Sequence, residues 1–446
     1  MASSRAMVLS AKLHAFSADH KATTLKTTIS TFSSSFPSSI IPVTTLALSN
    51  AMKTTRSCIT KMRRQVHNST NWEQMVHPSL DPLLRQEIIR YGDLVIACYK
   101  TFDLDPTSKR HLNCKYGKKT MMEEVGLGNL GYNVTKYIYA TPDVGISTSC
   151  ESRWIGYVAA SSDDEVRRLG RRDLVITFRG TVTYNEWLVN FMSSLTPARF
   201  NPNHPRKEVK VEAGFLCLYT SSEKVGKFGL QSCREQLLAE ISRLLNKYKG
   251  EELSITVAGH SMGSSLALLL AYDIAELELN KDVPIKVFSF AGPRVGNLAF
   301  KDRLDELGVK VLRIVNVNDP ITRFPGFFLN ENFRFLHDHS SSCYAHVGTE
   351  LALDFFNMEN PSCVHDLESH IRLLRSPKVE IDNVTSRYED DDHDDNMLFH
   401  DRAKQVLLSA QNLAQFGVGL DQCLSLFQIL LLVGGICIYV CIFDHS

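Results

Sequence analysis

The five residues Gly259-His260-Ser261-Met262-Gly263 place the tightest limit on how this chain can fold. Before them stands "LSITV", Leu253 to Val257, an apolar run with β-branched residues that reads as a buried strand. After them stands "SSLALLLAYDIAE", a run of good helix formers rich in Ala and Leu, which reads as a buried helix. A chain that passes straight from strand to helix strains the residue at the apex. It also brings the positions two before and two after so close together that only small residues fit. Ser261 occupies that apex, with Gly259 and Gly263 on either side. Its hydroxyl is lifted clear of the backbone at a helix N-terminus, where unpaired N–H groups stabilise an anionic oxygen. A glycine-rich loop without chemistry has the same local composition, so the motif acquires meaning only through partners elsewhere.

The rest of the middle of the chain alternates between strand and helix patterns. In "LDPLLRQEIIRYGDLVIACYKTF", Leu84, Ile88, Tyr91, Val95, Cys98 and Phe102 recur at helical spacing. "WIGYVAAS" and "DLVITFRGT" read as strands, and "REQLLAEISRLLNKYKG" as an amphipathic helix stopped near Gly250. "IKVFSFAGPRVGN" and "VKVLRIVNVNDPITRFP" each read as a strand followed by a loop. Strands alternating with helices imply crossovers, and so an α/β fold with a mostly parallel sheet covered on both faces. No internal repeat is visible.

Active sites of such sheets lie beyond the C-terminal strand ends. Besides Ser261, one strand end carries Arg179-Gly180-Thr181, where a backbone N–H and a hydroxyl can face a reacting carbonyl. Another carries Asn318-Asp319-Pro320, and "RIVNVND" is the last apolar strand in the pattern. An acid placed there fits the order Ser, Asp, His of a nucleophile elbow. Asn-Asp-Pro also initiates turns, which is the plainer role for Asp319. The histidine of the set must follow Asp319, and the candidates are His337, His339, His346, His365, His370, His393, His400 and His445. His365 opens the helical-looking run "HDLESHIRLL", which aims its side chain back over the sheet, but the pattern alone leaves the choice open.

The two ends differ from the middle. Residues 1–70 hold nine Lys and Arg against one acid, Asp19, around the Ser- and Thr-rich "STFSSSFPSSIIPVTT". That composition matches a transit peptide for the chloroplast or, alternatively, the mitochondrion. The remaining residues carry 40 basic and 48 acidic groups, so no basic field points to nucleic acid. Eleven cysteines without a CxxC pair suggest buried thiols in a reducing compartment, and no metal site. Near the C-terminus, "EDDDHDDN" lies in an acidic linker and helix over 386–422 and lacks the spacing and glycine of a calcium loop. Beyond it, within the tail 423–446, Leu424 to Phe443 is a run of twenty uncharged residues, long enough for a membrane anchor. The expected working domain is therefore 71–385.

Six ordered blocks carry a likeness to a known family. "ITFRGTVTYNEWLVNF", "VEAGFLCLYTS", "ITVAGHSMGSSLALLLAYDI", "FSFAGPRVGN", "LRIVNVNDPITRFP" and "CVHDLESH" together resemble the class 3 lipases. With "LGRRDLVITFRGT" and "LLRQEIIRYGDLVIACYKTFDLDP", the chain looks most like the plant plastid class I phospholipase A1 branch over about residues 78–375. The resemblance implies an α/β-hydrolase fold. It places the nucleophile on Ser261, the acid on Asp319 and the base on His365, with Thr181 and Met262 as oxyanion donors. It implies hydrolysis of the sn-1 acyl ester of a phospholipid or galactolipid at a membrane surface, with no cofactor. The chain departs from the family in Met262, where Leu is common, and in "SHIR" after the His365 block. Acyl transfer, triacylglycerol hydrolysis or lipid binding without catalysis would use the same fold. The apolar stretch after "FRGT", from Val182 to about Arg206, with Trp187, Leu188, Phe191 and Met192, is a candidate lid or a plain surface helix and loop.

Overall fold

The computed structural model describes residues 72–142, 152–182, 194–222, 231–325, 343–357 and 360–376. The leader 1–70, the acidic linker, the apolar tail and residues 183–193 of the candidate lid stretch lie outside the described residues.

In chain order the strands are β1 (Tyr132–Ala140), β2 (Arg153–Ser161), β3 (Arg172–Phe178), β4 (Leu195–Pro197), β5 (Lys210–Glu212) and β6 (Leu253–His260). They continue with β7 (Ile285–Phe290), β8 (Gly296–Asn297), β9 (Lys310–Asn316), β10 (Tyr344–Ala345) and β11 (Thr349–Leu353). Helices longer than one turn are α1 (Pro82–Thr101), α2 (Asp163–Leu169), α3 (Ala213–Thr220), α4 (Cys233–Lys247), α5 (Met262–Glu276), α6 (Leu298–Glu306) and α7 (Leu367–Arg375).

Seven strands form the central sheet in the order β1-β2-β3-β6-β7-β9-β11. The pairs β1–β2 and β2–β3 are antiparallel, and every pair from β3 onward is parallel. The parallel strands are apolar on both faces because helices cover both. In β7, Ile285 and Val287 point into a core shared with α3, α4, α5 and α6, while Phe288 and Phe290 point into a second core shared with α1 and α7. This is the mostly parallel, two-sided α/β-hydrolase arrangement expected from the sequence.

Local signals account for the covering helices. Asp81 accepts hydrogen bonds from Leu83 and Leu84 N–H at 2.8 and 3.1 Å, and Pro82 opens α1. The predicted stripe Leu84, Ile88, Tyr91, Val95 and Cys98 is fully buried. Ser232 and Glu235 close α4 with a capping box. All fifteen residues of α5 are buried, which suits a run apolar all round. Each of its fully buried leucines contributes about 2 kcal/mol.

Three features go beyond the sequence reading. β9 is not the last strand, because β11 pairs with it in parallel at the sheet edge. β11 is only five residues long and includes Thr349 and Glu350, so its apolar signal is weak. β1 also escaped the reading, since its mixed burial shows no clean run. Finally, β4, β5, β8 and β10 form a small separate sheet of two- and three-residue strands, too short for any periodicity to register. Among the described residues, no helix is long and apolar enough to cross a membrane.

Candidate active site

Three parallel strands, β3, β6 and β9, end on the same side of the sheet, and their extensions meet. β6 stops at His260, Ser261 stands alone, and α5 begins at Met262. Ser261 has φ 55° and ψ −126°, a strained combination for a residue with a side chain. Its N–H donates to the Phe290 carbonyl at 2.9 Å, which ties the apex to the end of β7. The flanking glycines are required by contact. A Cβ on Gly259 would lie 2.2 Å from the Gly263 carbonyl oxygen, and one on Gly263 would lie 2.5 Å from that of Arg179. Ser264 braces the turn, its hydroxyl donating to the Gly259 carbonyl at 2.6 Å.

Beyond β9 the chain turns on Asn316. Its side-chain oxygen accepts from Asn318 N–H at 3.0 Å, and its amide donates to the Phe355 carbonyl at 2.8 Å. Asp319 is wholly buried at the end of this turn. One carboxylate oxygen accepts from Ile321 N–H at 2.9 Å, and the other accepts from His365 Nδ1–H at 2.7 Å. Turn capping and pairing with histidine, weighed as alternatives from the sequence, thus coexist on the two oxygens of one group.

His365 lies in the connection between the single 3-10 turn Pro361–Val364 and α7, not inside the helix. Asp366 caps α7 by accepting from Ser369 N–H at 2.8 Å, which leaves the His365 ring outside the helical turns. With Nδ1–H committed to Asp319, Nε2 is the acceptor for the Ser261 hydroxyl at 2.9 Å. Asp319, His365 and Ser261 therefore form an unbroken hydrogen-bonded line. Of the other candidates, His370 lies one turn into α7, donates Nδ1–H to the Asp366 carbonyl at 2.8 Å and packs edge-on against Phe355. Burial pushes its pKa down. His346 follows β10 and is held well below the usual histidine range by burial and by nearby Arg313 and Arg294. His337, His339, His393, His400 and His445 lie outside the described residues.

The loop after β3 presses against the serine. A Cβ on Gly180 would lie 3.0 Å from Ser261 Cβ and 2.6 Å from the Tyr99 hydroxyl, so only glycine fits. Among the described residues the Thr181 N–H has no acceptor. The Thr181 hydroxyl, which the sequence suggested would face the reacting carbonyl, donates instead to the Met262 sulfur at 3.2 Å. The thioether is an acceptor that the more common leucine could not supply.

Sequence reasoning passed over three residues here. Tyr99, on α1, accepts from Gly180 N–H at 2.7 Å and donates its hydroxyl to His260 Nδ1 at 2.6 Å. His260 donates Nε2–H to the His365 carbonyl at 2.8 Å. The carbonyl can only accept, so His260 is the Nε2–H tautomer with Nδ1 as acceptor. Burial first, and the neighbouring His365 second, hold its pKa well below 6.5, so it stays neutral. The third residue is Arg179, whose side chain is buried beneath the same loop. A His beside the elbow serine was visible in the motif, but nothing local to Tyr99 revealed a partner 161 positions away.

The arrangement can move a proton from a serine hydroxyl to an imidazole backed by a buried carboxylate, beside backbone N–H groups at a helix start. Comparison with known proteins agrees with this chemistry. Residues 175–329 match the family model described as Lipase (class 3). A chloroplastic phospholipase A1 (Ialpha2) of Arabidopsis thaliana is 58% identical over 384 residues, covering 81% of this chain and 79% of that one. The chloroplastic galactolipase DONGLE of the same plant is 62% identical over 335 residues, covering 72% and 71%. The chloroplastic/mitochondrial phospholipase A1 EG1 of Oryza sativa subsp. indica is 57% identical over 342 residues, covering 75% and 79%. The chain belongs to the class 3 lipase family, on its plant plastid phospholipase A1-like branch, and is a chloroplast serine lipase that hydrolyses carboxylic esters.

Proposed function

We propose that Ser261 is the nucleophile, His365 the general base and acid, and Asp319 the orienting acid in hydrolysis of the sn-1 acyl ester of plastid phospholipids and galactolipids. The observation that carries this reading is the line of hydrogen bonds from Asp319 through His365 to Ser261, at 2.7 and 2.9 Å. The substrate class rests on the relatives, two named as phospholipases A1 and one as a galactolipase.

The Ser261 hydroxyl gives its proton to His365 Nε2 as Oγ bonds to the ester carbonyl carbon. The carbonyl π electrons move onto oxygen, and the N–H groups of Thr181 and Met262 receive that oxyanion. Collapse of the intermediate breaks the carbon–oxygen bond to glycerol. His365 gives its proton to the departing oxygen, and a lyso-lipid leaves. Water then repeats the sequence on the acyl-serine, giving a free fatty acid and restoring the hydroxyl. Asp319 holds the imidazole tautomer throughout and stabilises its cation. One oxyanion donor is worth about 3–4 kcal/mol in comparable hydrolases.

The reading extends to the ends of the chain. Residues 1–70 act as the chloroplast address. The tail 423–446, beyond the acidic linker, tethers the enzyme to the membrane that holds its substrate, and the lipase domain occupies 71–385.

The test is to incubate the full chain with a mixed plastid lipid extract and identify the fatty acids and lyso-lipids released. Release of sn-1 fatty acid, abolished by Ser261→Ala, is the expected result. A fluorophosphonate probe that labels Ser261→Ala as well as the natural chain would overturn the assignment of the nucleophile. Acyl transfer to an added alcohol outpacing hydrolysis would overturn the reaction class.

A further inference from the structure

We propose that Arg179 is a positioning residue for catalysis, whose buried positive charge strengthens the oxyanion donor at Thr181 through the peptide group between Gly180 and Thr181. This rests on the reading of Thr181 N–H as an oxyanion donor and adds what sets its strength.

Arg179 is 1% exposed. Its Nη1 donates to the Gly180 carbonyl at 2.8 Å and its Nε to the Trp154 carbonyl at 3.0 Å. Its guanidinium lies 4.0 Å above the centre of the Phe102 ring. Among the described residues Nη2 has no hydrogen-bond partner and no carboxylate pairs with Arg179. A buried cation without a counter-ion is costly and is seldom retained without a use. Burial, chiefly, pushes its pKa down to about 10, which still leaves it charged at neutral pH.

The Gly180 carbonyl and the Thr181 N–H belong to one planar peptide unit. A charge-assisted hydrogen bond to the oxygen draws electron density from the nitrogen, and the N–H at the other end becomes a stronger donor. With little water nearby, the cation's field is weakly screened and favours negative charge developing on the far side of that peptide. Arg179 grips this plane through the Gly180 carbonyl, and Tyr99 fixes the preceding peptide by accepting from the Gly180 N–H at 2.7 Å. The donor is therefore aimed before the oxyanion forms, so the transition state gains more than the ground state.

The experiment compares Arg179→Met, Arg179→Gln and Arg179→Lys in the full chain, keeping only variants that retain the natural circular dichroism spectrum. Three quantities are measured. They are kcat and KM on a lipid ester, the affinity of a long-chain alkylboronic acid, which forms a tetrahedral adduct on the serine, and the affinity of a non-hydrolysable ether lipid. Gln keeps hydrogen-bond donors without charge, so it serves even where Met fails to fold. In Met and Gln, kcat and boronic-acid affinity are expected to fall together by about tenfold, with ether-lipid affinity unchanged. Lys, which keeps a charge, is expected to lose about threefold.

If Gln and Lys lose equally, charge is not used and the proposal falls. It falls also if kcat drops without boronic-acid affinity, or if ether-lipid affinity drops in step, because a purely structural role moves those. Failure of the boronic acid to bind the natural chain, or its equal binding to Ser261→Ala, would instead sink the underlying site assignment.

Discussion

Replacing Tyr99 by Phe removes one oxygen atom and tests whether the site is held as a unit. That hydroxyl accepts from Gly180 N–H at 2.7 Å and donates to His260 Nδ1 at 2.6 Å. Both partners are buried, with His260 only 7% exposed. Phenylalanine fills nearly the same volume, so little of the effect comes from a cavity. An N–H and a ring nitrogen are left without partners, at about 1–2 kcal/mol each, for a total loss of about 2–4 kcal/mol. At about 2 °C per kcal/mol for a domain of this size, the melting temperature should drop by about 4–8 °C. The loss also bears on chemistry, because His260 holds the His365 carbonyl at 2.8 Å and Gly180 abuts Ser261. If about 1.4 kcal/mol of it appears in the transition state, kcat falls about tenfold with KM unchanged. Differential scanning calorimetry and initial rates on a lipid ester measure both effects. A variant within 1 °C of the natural chain and with full kcat would refute the claim that Tyr99 joins the oxyanion loop to the base.

Three further outcomes follow from particular contacts. Asp319→Asn should lower kcat by about 10⁴-fold with little change in KM, since the amide favours the wrong imidazole tautomer; a loss under tenfold in steady-state rates would argue against pairing with His365. Gly263→Ala places a Cβ 2.5 Å from the Arg179 carbonyl oxygen and should unfold the elbow, read as loss of both soluble protein and fluorophosphonate labelling; normal labelling would contradict it. Glu212, buried with one carboxylate oxygen lacking a partner among the described residues and the other accepting from Phe215 N–H at 2.6 Å, has its pKa raised by burial to about 7. The folded state keeps a proton that the unfolded chain releases near pH 4.5, so this group costs stability progressively as pH rises to about 7, by about 3 kcal/mol in all. Glu212→Gln should therefore melt higher than the natural chain at pH 8 and nearly equal at pH 4.5, and an equal difference at both would disprove the ionisation.

What the sequence determined by itself is what short-range chemistry dictates. The strand–Gly–x–Ser–x–Gly–helix turn was readable because strand and helix patterns adjoin, and Gly259 and Gly263 admit no side chain where they meet. The parallel sheet was readable because β3, β6, β7 and β9 are continuous apolar runs separated by helical ones. Asp319 was readable as a carboxylate just past a strand end. Long-range packing decided the rest. Residue patterns alone left eight histidines open, and resemblance singled out His365; proximity appears only when α7 is laid against α1 and its connection swings the His365 ring between Asp319 and Ser261. β1, β11 and the small sheet were silent because they are mixed or too short for period-two alternation. Tyr99 and Arg179 were silent for a different reason. A tyrosine in an amphipathic helix and an arginine at a strand end are ordinary in sequence; Tyr99 gains its role only from the Gly180 N–H and the His260 ring nitrogen that the tertiary fold brings near, and Arg179 from the Trp154 carbonyl and the Phe102 ring that hold its guanidinium in place.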